Sequence, residues 1–167
     1  MYNSFIGIGS NLGMRIENCN NALEYISAFS EVASMSSLYK SEAAGYAEQP
    51  NFINAVIKIK TSLSPNNLLN SLKLIEKKMG REKTFRWGPR IIDLDILFYE
   101  NLIIESSTLT IPHEELQKRR FVLEPLLEIE PDLIHPKYNM SIKDILKNLK
   151  DDKKIVKIGE FFCGKLT

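Results

Sequence analysis

The chain has 167 residues, 44% of them hydrophobic, which is enough for one domain to bury most of its apolar surface without disulfides or metals. With 22 Lys and Arg against 21 Asp and Glu, the formal net charge of +1 gives no reason to expect a broad nucleic-acid or membrane footprint. Cys19 and Cys163 fit neither a CxxC pattern nor a disulfide framework. No apolar run approaches the roughly 20 residues of a membrane span and the N-terminus lacks signal-peptide character, so a cytoplasmic protein of one domain, 1–167, is expected.

The first strand is expected at Phe5–Gly9, with Ile6 and Ile8 on one face and Phe5, Gly7 and Gly9 on the other. Two glycines on one face leave room for something to approach. Ser10–Gly13 reads as a plain turn, because no GxGxxG or Walker pattern is present. Ile16, Cys19, Leu23 and Ile26 recur at helical spacing to about Phe29, and 32–41 reads as a strand. The stretch 42–51 breaks both periodicities and reads as a loop. From Phe52 to Lys60, Ile53, Ala55, Ile57 and Ile59 make an apolar strand face, while Phe52, Asn54 and Val56 look the other way. Asn is disfavoured in strands, and Asn54 either offers its amide to a flat heterocycle or bonds a neighbouring loop. Ser64-Pro65 starts a helix with the stripe Leu68, Leu69, Leu72, Ile75 and Met79, and Gly80 ends it.

Four cations and one anion lie between Arg81 and Arg90, with the only tryptophan, Trp87, among them. Such a mixture suits phosphate pairing and ring stacking, although a solvated charged turn would also carry it. It runs into a strand over 91–99 whose Ile92, Leu94, Ile96 and Phe98 share one face, with Ile91, Asp93, Asp95, Leu97 and Tyr99 on the other. Two carboxylates roughly 7 Å apart suit one or two hard cations such as Mg²⁺, which commonly joins protein carboxylates to substrate phosphates. A solvated pair is the ordinary reading of Asp-x-Asp, but an apolar central strand is a poor place for idle, mutually repelling carboxylates.

Beyond it come a short strand at Leu102–Ile104, an extended approach through Leu109 and Thr110 to His113, and a short polar helical stretch with Arg119 and Arg120. Pro125 and Pro131 are expected to break the following segment, and His135 reads as a surface residue. Ser141 caps a last helix, and Ile155–Phe161 reads as an edge strand or a docked tail. The order gives an α+β, ferredoxin-like βαββαβ core, an antiparallel sheet with helices on one face. Strand parity then gathers Phe52, Asn54, Asp93 and Asp95 on the uncovered face.

The run Arg86-Trp-Gly-Pro-Arg-Ile-Ile-Asp-Leu-Asp-Ile-Leu resembles the 6-hydroxymethyl-7,8-dihydropterin pyrophosphokinases of folate synthesis. Gly9-Ser-Asn-Leu12, Gln49-Pro-Asn-Phe-Ile-Asn54 and Ile111-Pro-His113, with Arg119 and Phe121, follow in the family's order. The resemblance implies transfer of the terminal diphosphate of ATP to the pterin hydroxymethyl group with release of AMP. It implies two Mg²⁺ ions on Asp93 and Asp95, and catalytic roles for Arg81 and Arg90. It also implies a pterin site of Ser41, Ala44, Phe52, Asn54, Trp87, Asp93 and Phe121. For ATP it implies Leu69, Glu76, Arg81, Trp87, Arg90 and Ile96, with Thr108, Leu109, Thr110, His113 and Arg119. Loops 42–51 and 81–90 would close over both substrates. Thr108, Glu114 and Phe52 depart from residues common in the family, and the tail from Asp151 lies outside the resemblance. A ligand-sensing module without turnover, an RNA-binding sheet and a metal-dependent nuclease are the competing readings. The carboxylates on the uncovered face oppose RNA, and a nuclease gives Asn54 no role.

Overall fold

The computed structural model describes residues 1–43, 48–83, 85–86, 88–151 and 153–162. In chain order the elements begin with β1 (Tyr2–Ser10), α1 (Arg15–Ser27), β2 (Glu31–Met35), β3 (Leu38–Ser41), β4 (Phe52–Thr61) and α2 (Pro65–Lys78). They continue with β5 (Asp93–Tyr99), β6 (Ile104–Glu105), β7 (Thr110–Ile111) and α3 (Arg120–Ile129). The last are β8 (Ile134–His135), β9 (Met140–Ser141), α4 (Ile142–Lys147) and β10 (Ile155–Gly159). The main sheet runs β10-β3-β4-β1-β5, with β2 also on β4, and every pairing is antiparallel. Two two-stranded ribbons, β6-β7 and β8-β9, stand outside it.

The alternation read in β1 and β4 builds the first layer. Ile6, Ile8, Ile53, Ile57 and Ile59 are buried against Cys19, Ala22 and Ile26 of α1 and Leu68, Leu72 and Ile75 of α2. Ser64 Oγ accepts the Asn67 N–H (3.3 Å), Pro65 opens α2, and Gly80 takes φ +88° just past its end. The expected 32–41 strand is two strands, because Ser36 interrupts it. The Ser36 N–H donates to Val56 O (2.8 Å), and its Oγ accepts the Val56 N–H (2.9 Å).

The opposite face is not left wholly bare, contrary to the expectation of helices on one side only. Phe5, Val56, Leu97 and Phe98 are buried there against Leu116, Val122, Leu123 and Leu126, with Ile142 and Ile145 of α4 behind them. Pro125 does not break α3. It forfeits one main-chain bond inside the helix, and the packing of its buried neighbours outweighs that loss. The parity read for the central strand fails at its end for a definite reason. Pairing steps from Ile6↔Ile96 to Phe5↔Phe98, so Leu97 is an extra residue, and β5 bulges. Beyond the bulge Phe98 faces the second layer, while Tyr99 turns to the first and donates its OH to Leu63 O (2.7 Å).

His135 is not a surface residue. It is 2% exposed, its ring edge-on to Phe98 (5.6 Å) and stacked on Tyr138 (4.4 Å), with Nδ1 accepting the Lys137 N–H (3.3 Å). Burial lowers its pKa, the Lys137 charge adding to the effect. The tail forms the edge strand expected of it, pairing Ile155 with Ser41 and Lys157 with Tyr39. It then buries Phe161 in the first layer, while Phe162 N–H donates to Asn20 Oδ1 (2.7 Å). Phe161→Ala is therefore expected to cost about 2–4 kcal/mol in urea unfolding. A loss below about 0.5 kcal/mol would mean that the tail does not belong to the core.

Candidate active site

The site rests on how β1 sits between its two neighbours. Gly9 lies opposite Asn54 on β4 and opposite Asp93 on β5, and Gly7 lies opposite Val56 and Asp95. With no side chains on β1 at these two points, a trough runs between the carboxamide and the carboxylates. A Cβ on Gly9 would stand 2.9 Å from Asn54 Oδ1 and 3.5 Å from the Phe52 ring, so the close approach itself demands glycine. Asn54 Nδ2 donates to Ser41 Oγ (2.6 Å), which fixes the amide and leaves Oδ1 toward the trough. Phe121, in the first turn of α3, stands across the opening, with the Arg119 guanidinium 5.7 Å from its ring centre. This first cleft is bounded by Phe52, Asn54, Phe121 and Arg119 and floored by Gly7, Gly9, Asp93 and Asp95.

A second cleft opens on the other side of the acid pair, between α2 and residues 106–114. Leu69, Glu76, Arg81 and Ile96 line one side of it, and Thr108, Leu109, Thr110 and His113 the other. Asp93, Asp95 and Arg90 border both clefts. Of these two clefts Arg119 borders the first, and it also lines the adjoining groove, apart from the other residues the resemblance places with ATP. Ser41 borders an adjoining groove beside Glu42 and reaches the first cleft through Asn54. Ala44 and Trp87 lie outside the described residues.

Cations hold one carboxylate and leave the other in a stressed position. Asp93 Oδ1 pairs with Arg81 Nη1 and its Oδ2 with Arg90 Nη1, each at 3.0 Å. Glu76 pairs with Arg81 from α2 and accepts the Leu94 N–H (3.3 Å); burial raises its pKa against the pull of Arg81. Asp95 Oδ2 lies 3.8 Å from His113 Nε2, and the charges of Arg119 and Arg90 act on it as well. Its carboxyl is pushed up to about 7, first by burial and then by the charge of Asp93, although about a third of the side chain (35%) still meets solvent. His113 Nδ1 accepts the Glu115 N–H (3.2 Å), so the ring proton belongs on Nε2, facing Asp95. Burial, then Arg119, lowers the His113 pKa, which favours the neutral ring.

The turn after β1 does more than turn. Asn11 is fully buried; its Nδ2 donates to Gln49 Oε1 (2.8 Å) and Pro50 O (3.3 Å), and its Oδ1 accepts the Arg90 N–H (2.8 Å). Its own N–H donates to Arg90 O (3.1 Å). One carboxamide thus joins the ends of the 42–51 and 81–90 segments. Asn is common in turns, so its residue type carries no mark of this work.

Among the described residues no group of three or more His, Cys, Asp and Glu could enclose a metal ion. The Asp93 and Asp95 pair nevertheless fits Mg²⁺, which accepts one or two carboxylates and takes its other ligands from phosphates and water. In this antiparallel α+β fold two clefts meet at that carboxylate pair. Residues 5–131 match the model of the family described as 7,8-dihydro-6-hydroxymethylpterin-pyrophosphokinase (HPPK), and the chain belongs to that family.

The chain is 46% identical over 140 residues to the 2-amino-4-hydroxy-6-hydroxymethyldihydropteridine pyrophosphokinase of Aquifex aeolicus, covering 84% of this chain and 88% of that protein. The protein of the same name from Haemophilus influenzae is 44% identical, with 93% and 98% covered. The folic acid synthesis protein fol1 of Schizosaccharomyces pombe is 42% identical, and there the match spans 92% of this chain but only 22% of the relative. In fold, an HPPK-DHPS crystallised in complex with substrates superposes with a TM-score of 0.71 at 16% identity, over 87% of this chain and 43% of that one.

The raised Asp95 pKa has a consequence for folding. An unfolded carboxyl ionises near 3.8 and the folded one near 7, so folding is penalised at pH 8 and the penalty fades as pH falls toward 4. Asp95→Asn is expected to melt higher than wild type at pH 8 in chelator, with the gain gone by about pH 4. Equal melting at pH 8 would mean that Asp95 ionises freely in the native protein.

Proposed function

We propose that the chain transfers the terminal diphosphate of ATP to the hydroxymethyl group of 6-hydroxymethyl-7,8-dihydropterin in folate biosynthesis, releasing AMP. The observation that carries this reading is that two clefts of different character share one wall, Asp93, Asp95 and Arg90. The first suits a flat polar ring. Phe52 and Phe121 would sandwich it, and Asn54, held by Ser41, would read its edge. The second suits a nucleotide: Leu69, Ile96 and Leu109 are its apolar end, and Arg81, Arg90 and His113 stand where phosphates would lie. Thr108, Thr110 and Glu76 would contact the sugar and its neighbours, and Arg119 would meet the phosphates from the pterin side.

Asn54, Gly9 and Asp93 lie in one row across the sheet, so a ring held at Asn54 points toward Asp93. Asp93 would then position the attacking hydroxyl. Arg81 and Arg90, which now clamp Asp93, would turn to the phosphates and hold them in line. Two Mg²⁺ ions on Asp93 and Asp95, when bound, would neutralise phosphate charge. Asn11 would couple closure of 42–51 and 81–90, excluding water from both ligands.

The strand order supports the ferredoxin-like reading of the core, with β2 and β3 together in the place of one strand. No described helix is long and apolar enough to cross a membrane, and we place the enzyme in the cytoplasm as a monomer acting on small molecules. Phosphorus NMR of a reaction with both substrates and Mg²⁺ is expected to show AMP, not ADP. Asp93→Ala and Asp95→Ala are expected to lower its rate about a hundredfold or more. ADP as the product, or rates within about twofold of wild type, would reject the assignment.

A further inference from the structure

β10 lies beyond residues 5–131, the stretch that matches the family, and it closes one edge of the main sheet. Its register sets Ile155 opposite Ser41, Val156 opposite Lys40 and Lys157 opposite Tyr39. On its other side β3 pairs with β4 at three positions, Tyr39↔Asn54, Lys40↔Ile53 and Ser41↔Phe52. Ser41 is the last residue of β3. Without β10 it would end a short strand at a bare sheet edge, where backbone pairing frays first. Directly opposed residues share a face, and Ile155 and Ser41 line the same groove beside the first cleft. Past this pairing the tail is fastened again. Lys157 Nζ lies 3.9 Å from Glu128 Oε2, Phe161 enters the first layer, and the Phe162 N–H donates to Asn20 Oδ1 (2.7 Å).

We propose that β10 is a positioning element of the pterin site, Ile155 holding Ser41 in the sheet so that the Ser41 hydroxyl keeps the Asn54 amide aimed at the ring. This rests on reading the first cleft as the pterin site. Asn54 Nδ2 is committed to Ser41 Oγ (2.6 Å), so Oδ1 is the atom left to accept from the ring edge, and the Ser41 contact sets the plane of the amide. A loosened Ser41 frees the carboxamide to rotate, and binding must then order it again. No residue of β10 lines the second cleft, so the nucleotide should not sense the change.

The test is a double-mutant cycle read by calorimetry on wild type, Ile155→Pro, Ser41→Ala and the double variant. Each is titrated with a non-hydrolysable ATP analogue and Mg²⁺, and then with the pterin at saturating analogue. Proline is tolerated on an edge strand but removes an N–H from it. Ile155→Pro is expected to weaken the pterin about tenfold and to leave the analogue within about twofold of wild type. Added to Ser41→Ala, it should cost less than about a further twofold, because both changes act on one contact. Ile155→Val should bind both ligands as wild type does. Ile155→Gly keeps the N–H while loosening the strand, so it should show the same pterin-only loss even if the proline variant fails to fold. Pterin affinity within about twofold of wild type in the folded proline or glycine variant overturns the proposal. So do losses that multiply in the double variant, or a loss shared equally by the analogue. Wild type that binds the analogue but not the pterin would instead overturn the reading of the first cleft.

Discussion

A row of three residues across neighbouring strands, Asn54 on β4, Gly9 on β1 and Asp93 on β5, fixes how far the carboxamide stands from the carboxylate. Two antiparallel registers set that row, and both are locked by the apolar alternation of the buried face. A slip of one residue would send Ile6 and Ile8 to the wrong side of the sheet and bury the carboxylates. The hydrophobic core therefore specifies the chemistry indirectly. Satisfying Ile6, Ile8, Ile53 and Ile57 against α1 and α2 leaves Gly7, Gly9, Asn54, Asp93 and Asp95 on the other face.

That other face is divided. Its lower part is a second packed layer, in which α3 and α4 cover Phe5, Val56, Leu97 and Phe98. Its upper part is the trough, and the Leu97 bulge in β5 lies between the two. The covering helix also supplies Phe121 at its first turn, so the packing that closes the second layer places one side of the first cleft. Glu128, near the other end of α3, accepts from Ser37 N (2.8 Å), Ser37 Oγ (2.7 Å) and Tyr39 OH, fastening the helix to β3. β3 ends at Ser41, whose hydroxyl aims Asn54. The packing of α3 and the aim of Asn54 thus pass through the same few contacts.

Much of this could be read in the amino-acid order. Strand alternation placed Asn54, Asp93 and Asp95 on one face, and Ser64, Pro65 and Gly80 marked the ends of α2 where they are found. What escaped had physical causes. The β5 bulge depends on pairing with β1, which leaves no trace in the order of 93–99. Asn11 and His135 are polar residues buried by distant partners, Gln49 and Arg90 for one and Phe98 for the other, and only tertiary packing reveals them. Pro125 opposes a helix locally, so the sequence suggests a break there, whereas the apolar side of α3 faces a ready-made layer that holds the helix.

Whether the amide proposed to read the pterin needs the side-chain-free floor beside it is the most direct test of the account. Adding one methyl group at Gly9 places it within 2.9 Å of Asn54 Oδ1, and the amide is tethered by Ser41 and has little freedom to yield. Calorimetry on Gly9→Ala with the pterin, in the presence of a saturating ATP analogue and Mg²⁺, should show pterin affinity reduced about tenfold or more while analogue affinity stays near wild type. Pterin binding as tight as in the wild type would contradict the trough as the place where the two ligands are brought together.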